Sequence, residues 1–176
     1  MPTSTYKPVY TASQTITISP ENVASSSTFA AGVESDVISN LSTRYTDVLV
    51  SGAWTAGTTP TAGTQVQIWV YAPISDNLAA TVTYPDVLDG TSSAETITSA
   101  GVLNGALRLG AVLFVDSNTS DRKYFCAPFS IAALFGGRLP TRWGLFITHN
   151  TGVNSNATAG NHEWTYLPIK DTFETV

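Results

Sequence analysis

Apolar and polar residues alternate along much of this chain with the period of two that a half-buried strand imposes. Gln14-Thr15-Ile16-Thr17-Ile18 alternates strictly and is stopped by Pro20. Residues 45–51 repeat the pattern through Val48 and Val50, and residues 65–71 show it most clearly. There Val66, Ile68 and Val70 share one face, and Gln65, Gln67, Trp69 and Tyr71 share the other. Shorter strands are predicted at 79–84, 122–127 and 162–169, and a core strand at 143–148. Residues 107–115 are apolar almost throughout, which predicts a strand buried on both faces. The predicted core comprises Val48, Val50, Val66, Ile68, Val70, Leu109, Leu113, Leu145 and Ile147.

Turn residues separate these segments. Residues 56–64 hold two glycines and Pro60, residues 116–121 are polar, and residues 150–161 are rich in Gly, Asn, Ser and Thr. Residues 85–104 read as a long loop with turns at Asp89-Gly90 and Asn104-Gly105. No segment sustains a 3.6-residue apolar period, so helix is confined to a turn or two, one of them at 130–135. About eight short strands at such spacing predict an all-β fold, a β-sandwich of jelly-roll type. Residues 1–13 are polar and contain Pro2 and Pro8. They read as an extended N-terminal arm outside the core, with residues 14–176 as a single sandwich domain.

Composition agrees. Of the 176 residues only 12% are charged while 43% are apolar, which excludes a disordered chain and leaves little material for the polar face of a long helix. The net charge is −5, and the eight basic residues are scattered, with Arg122-Lys123 the one adjacent pair. That is not the footprint of a nucleic-acid-binding protein. No run reaches the roughly 20 apolar residues of a membrane span. A single cysteine, Cys126, excludes an intrachain disulfide and suits a soluble chain made in a reducing cytoplasm. Residues 1–7 hold no apolar signal core. Three Asn-x-Ser/Thr sequons begin at Asn40, Asn118 and Asn156; in a chain so rich in Ser and Thr they read as coincidence.

The candidates for chemistry are few. His149 and His162, with Glu163 and Cys126, could supply zinc ligands, but no CxxC or HxxxH spacing accompanies them. Strand-end histidines and a small buried cysteine are the favoured readings. Asp86, Asp89 and Glu95 lie in one loop without the dense ligand spacing of a calcium loop. No nucleophile elbow, phosphate loop or dinucleotide fingerprint occurs. The sequence therefore assigns no catalytic, cofactor-binding or metal residue and predicts no enzyme. Trp54, Trp69, Trp143 and Trp164 could stack on sugars, against which core packing is favoured. Trp69 and Tyr71 stand apart because they oppose the Val66–Ile68–Val70 face. Such a pair must be covered by a loop or arm of its own chain or buried against another chain, which makes Trp69 and Tyr71 the candidate interface.

Several segments resemble small virion proteins of tailed bacteriophages: Ala31-Gly32-Val33-Glu34-Ser35, Val50-Ser51-Gly52, residues 59–71, Tyr84-Pro85-Asp86-Val87-Leu88-Asp89-Gly90, Pro128-Phe129-Ser130 with Leu134-Phe135-Gly136-Gly137, and residues 143–152. The likeness spans roughly residues 30–165. It implies a capsid decoration (cement) protein on the virion surface, bound to the major capsid protein and to neighbouring copies of itself as a homo-oligomer, with a trimer as the implied state. A head-fibre, collar or tail role, or a carbohydrate-binding module for host attachment, is the alternative.

Overall fold

The structure, a computed structural model, describes residues 4–78 and 81–175. Eight principal strands carry the fold: β1 Ser4–Tyr10, β2 Ala31–Glu34, β3 Asp47–Thr55, β4 Thr64–Tyr71, β5 Arg108–Val115, β6 Lys123–Ser130, β7 Arg142–His149 and β8 Glu163–Thr175. Two short helices, α1 Ala100–Ala106 and α2 Ile131–Leu134, accompany them. The first strand pairs with the eighth, the second with the seventh, the third with the sixth and the fourth with the fifth, all antiparallel. This is one long hairpin rolled over itself. The roll places β1-β8-β3-β6 in one sheet and β5-β4-β7-β2 in the other, with Gln14–Thr15 added beside β8 and Ser93–Thr96 beside β2. The architecture is the expected all-β sandwich, and its pairing order is that of a jelly roll.

The alternation read from the sequence is what closes the sandwich. Val48, Val50 and Trp54 of β3 meet Val66, Ile68 and Val70 of β4, Trp143, Leu145 and Ile147 of β7, and Trp164 and Tyr166 of β8 in one continuous core. Trp143 and Tyr166 pack edge to face with ring centroids 5.5 Å apart, the arrangement that aromatic quadrupoles prefer. Helix α2 is capped twice over. The Ser130 hydroxyl accepts from the Ala133 amide at 3.0 Å, and Asp47 accepts from the Ala132 amide at 2.9 Å and from the Ser130 hydroxyl at 2.6 Å. Donors freed at a helix start are thereby satisfied by a strand of the sandwich.

Two expectations are corrected. Leu109 is not core. It is 41% exposed, with Val112 and Phe114 exposed beside it. A bulge between Leu109 and Ala111 shifts the register of β5 on β4, so the outward phase runs Leu109, Val112, Phe114 and the inward phase Ala111, Leu113, Val115. A continuous apolar run concealed that change of phase. Gly110 sits at the bulge because the Phe129 ring lies where a side chain would begin.

The residues from 85 to 104 are not wholly loop, since they contain Ser93–Thr96 and the start of α1. The expected arm carries a strand. Residues 4–10 are extended, and Lys7 to Tyr10 are exposed, but β1 pairs through seven positions with the far half of β8, from Ser4↔Thr175 to Tyr10↔Ile169. The pairing of β3 with β8 stops at Asp47↔Ile169. Beyond that point the sheet narrows to a two-stranded ribbon made from both ends of the chain. Of its side chains, Lys7 to Tyr10 and Thr172 are exposed and Lys170 and Asp171 half-buried. Residues 1–3 of the expected arm, and Ala79 and Ala80 of the expected 79–84 strand, lie outside the described residues; Val82–Thr83 is a strand.

The division between core and surface gives a direct test. Ile68→Ala should cost about 2–5 kcal/mol of stability, and Leu109→Ala less than about 1. Urea denaturation followed by tryptophan fluorescence measures both, and equal losses would contradict the assigned phase of β5.

Candidate interaction surface

Each sheet has an outer face, and the chain treats the two differently. On the second sheet, Trp69, Tyr71 and Phe146 point away from the main core. Leu88, Ile97, Leu103 and Leu107 close over them as a second apolar cluster, so residues 84–107 form a roof. The Ser99 hydroxyl caps α1 by accepting from the Val102 amide at 3.2 Å, and Leu103 is the buried residue of that helix. Asp86 fixes the roof by accepting from the amide and hydroxyl of Thr98 at 2.6 and 2.8 Å. Trp69 is 5% exposed and Tyr71 fully buried. The Tyr71 hydroxyl donates to the Ser35 carbonyl at 3.0 Å, and the Trp69 indole donates to Gln67 at 3.1 Å. The candidate interface of Trp69 and Tyr71 is therefore corrected: both lie on the predicted face, and their own chain covers it. The sequence concealed the cover because its apolar residues are spaced singly through a polar segment.

A buried carboxyl lies under this roof. Glu34, fully buried on β2, accepts from the Asp89 amide at 3.1 Å through Oε1, while its Oε2 has no hydrogen-bond partner. Burial, reinforced by the like charge of Asp89 and opposed by the Asp89 and Gly90 amides, pushes its pKa up from 4.5 to about 7. The other acids of the loop serve local turns: Asp89 accepts from the Thr91 amide, and Glu95 from the Ser93 hydroxyl.

The outer face of the first sheet has no such roof. The ladder register aligns Phe125, Ala53 and Glu163 across β6, β3 and β8. Successive outward rows hold Ser51 beside Thr165, then Leu49 beside Leu167, and then Ile169 beside Tyr10. Leu49, Leu167 and Ile169 are half-buried, Tyr10 is exposed, and Phe125 is 75% exposed. Phe125 walls a shallow hollow of ≈ 340 Å³ that Ser51, Gly52, Ala53, Cys126, Pro128, Glu163 and Thr165 also line. Around it, Lys123 and Glu163 pair with each other at 3.8 Å.

Nine large apolar side chains are exposed among the described residues, and four of them (Leu109, Val112, Phe114 and Phe125) lie on β5 and β6. These are edge strands of their respective sheets. Exposed apolar edge strands usually carry a protective device or mark a site of association. Sequence reasoning identified the strand that holds Phe125, at 122–127, but weighed only Cys126 within it. The missed signal was an aromatic residue in each phase of one strand.

The residues weighed for chemistry have structural duties. His162 accepts from the Thr55 amide through Nδ1 at 3.2 Å, and its Nε2 lies 3.0 Å from the Asn156 carbonyl, which fixes a neutral ring. His149 lies 3.1 Å from the Val23 carbonyl through Nε2 and 2.9 Å from the Thr151 hydroxyl through Nδ1. Its centroid is 5.0 Å from that of Trp54. Burial drives its pKa down to about 4 and also lowers that of His162. Burial pushes the Cys126 thiol up to about 11, so it sits in the core as a small apolar group. Trp54, Trp69, Trp143 and Trp164 are all buried, leaving none as a platform for a sugar.

These shifts set a pH dependence. Glu34 ionises near 4.5 when unfolded and near 7 when folded, so its contribution favours the fold at low pH and is lost as pH rises between those values. His149 is displaced from 6.5 to about 4, so its contribution is present above 6.5 and is lost as pH falls toward 4. Each is worth up to about 3 kcal/mol, and the two oppose one another where their windows overlap. Glu34→Gln removes the first alone. It should add about 1–3 kcal/mol at pH values above 7 and leave a steeper loss of stability on acidification. Urea denaturation across this pH range reads both effects, and an unchanged stability above pH 7 would contradict the buried-carboxyl account.

No family model, curated protein or solved structure matches this chain, so the reading of its surface rests on its own geometry.

Proposed function

We propose that this chain is a structural protein of a tailed-phage particle, a capsid decoration protein that binds the major capsid protein and copies of itself and stabilises the head. The observation that carries the reading is the unequal treatment of the two sheets. One outer face is roofed by the chain itself, while the other is left without a roof around the exposed Phe125. Leaving that area in water forgoes roughly 25 cal/mol per Å², which a covering chain recovers less the cost of association. The jelly roll supports the reading by analogy, since this architecture recurs in viral shells, though it also recurs in lectins. The ribbon of β1 and β8 gives a further surface outside the sandwich body. The resemblance of residues 30–165 to small virion proteins points the same way. Burial of all four tryptophans weighs against the carbohydrate-binding alternative.

The test is particle robustness. Particles lacking the protein should release their genome at a lower temperature, or after a milder osmotic shock, than complete particles. Adding purified protein back should restore them. Depleted particles of undiminished robustness that fail to adsorb to cells would overturn the reading in favour of host attachment.

A further inference from the structure

We propose that Phe125 and the hollow beside it form a twofold-symmetric contact with a second copy of this chain, each Phe125 entering the hollow of the other. The inference deepens the assembly reading above, on which it rests, by naming the partner of the bare face. Two features single out a second copy. Knob and hollow lie on one face: Phe125 stands 75% exposed, and it walls, with Glu163, the ≈ 340 Å³ depression that Ser51, Gly52, Ala53 and Thr165 also line. A patch carrying both complements itself under a twofold axis, where residue i of one copy meets residue j of the other and the reverse holds. A closed ring would instead need knob and hollow on different sides of the molecule, so this geometry favours a pair where the virion-protein resemblance implies a trimer.

Charge agrees. The chain carries −5, and two copies repel through most of their surface. Around Phe125 the charges are one Lys123 and one Glu163, already paired, so this part of the face is neutral. Each Lys123 can turn to the Glu163 of the opposite copy without a net cost in charge. The apolar row of β5 and the ribbon remain free for the shell.

Sedimentation of the full chain at micromolar concentration should give twice the mass of one chain. Phe125→Asp should weaken the pair by more than about tenfold. Ser51→Trp, which fills the hollow and leaves Phe125 in place, should do the same. Both sites lie outside the core, so circular dichroism and the melting temperature should be unchanged, which separates loss of the contact from loss of the fold. A monomeric parent chain, or a dimer that survives both substitutions, would overturn the inference. If such a protein still binds particles and restores their robustness, the decoration reading stands and only the second copy falls. If the chain dimerises through Phe125 yet leaves particles unaffected, the contact stands and the decoration reading falls.

Discussion

A strand has two faces, and a sandwich covers only one face of each sheet. Everything particular to this molecule follows from what happens to the other two. The inner faces close on each other through Val48, Val50, Ile68, Val70, Leu145, Ile147 and five buried aromatic rings, as in a sandwich core. On the second sheet the outward phase of β4 is again apolar, with Trp69 and Tyr71, and the chain devotes residues 84–107 to covering it. On the first sheet the outward phase is mixed, with Ala53, Ser51 and Thr165 between larger residues, and nothing among the described residues is spent on a cover. The outer face of one sheet is covered within the monomer, and that of the other is the face we propose a neighbour covers.

The buried polar groups belong to the same economy of faces. Glu34 stands at the seam between the second sheet and its roof, where an amide of the roof meets Oε1 and Oε2 is left without a partner. A buried carboxyl in that position carries a desolvation cost that rises when it ionises. His149 and His162 stand at the opposite end of the argument. Their rings pack against Trp54 and are held neutral by burial, so protonation is what disturbs them. The seam under the roof is strained by base and the Trp54 corner by acid. Neither needs a ligand to explain why it is polar.

Period-two alternation at Val66-Gln67-Ile68-Trp69-Val70-Tyr71 gave the strand, its inward face and the separation of Trp69 and Tyr71 from the core, because side-chain direction in a strand is fixed by geometry alone. The roof over that pair was not legible. Leu88, Ile97, Leu103 and Leu107 are scattered through polar sequence, and only the fold brings them to one place. Leu109 was misread because the bulge at Gly110 changes phase inside an apolar run that offers no polar residue as a marker. The ribbon was half legible. Residues 4–10 are extended as the prolines suggest, but their pairing with the polar end of β8 depends on a contact across the whole chain. Phe125 was available to sequence reasoning and missed, since Lys123-Tyr124-Phe125-Cys126-Ala127 carries aromatic residues in both phases, and a sandwich core can take only one of them.

The central claim is that the bare face of the first sheet is the one that assembly covers. Hydroxyl-radical footprinting of the protein on intact particles, set against the dilute monomer, tests it most directly. The account predicts that Phe125 loses most of its reactivity on assembly, while Trp69, already roofed by its own chain, is equally protected in both states. Phe125 reacting alike on the particle and in the monomer would contradict it.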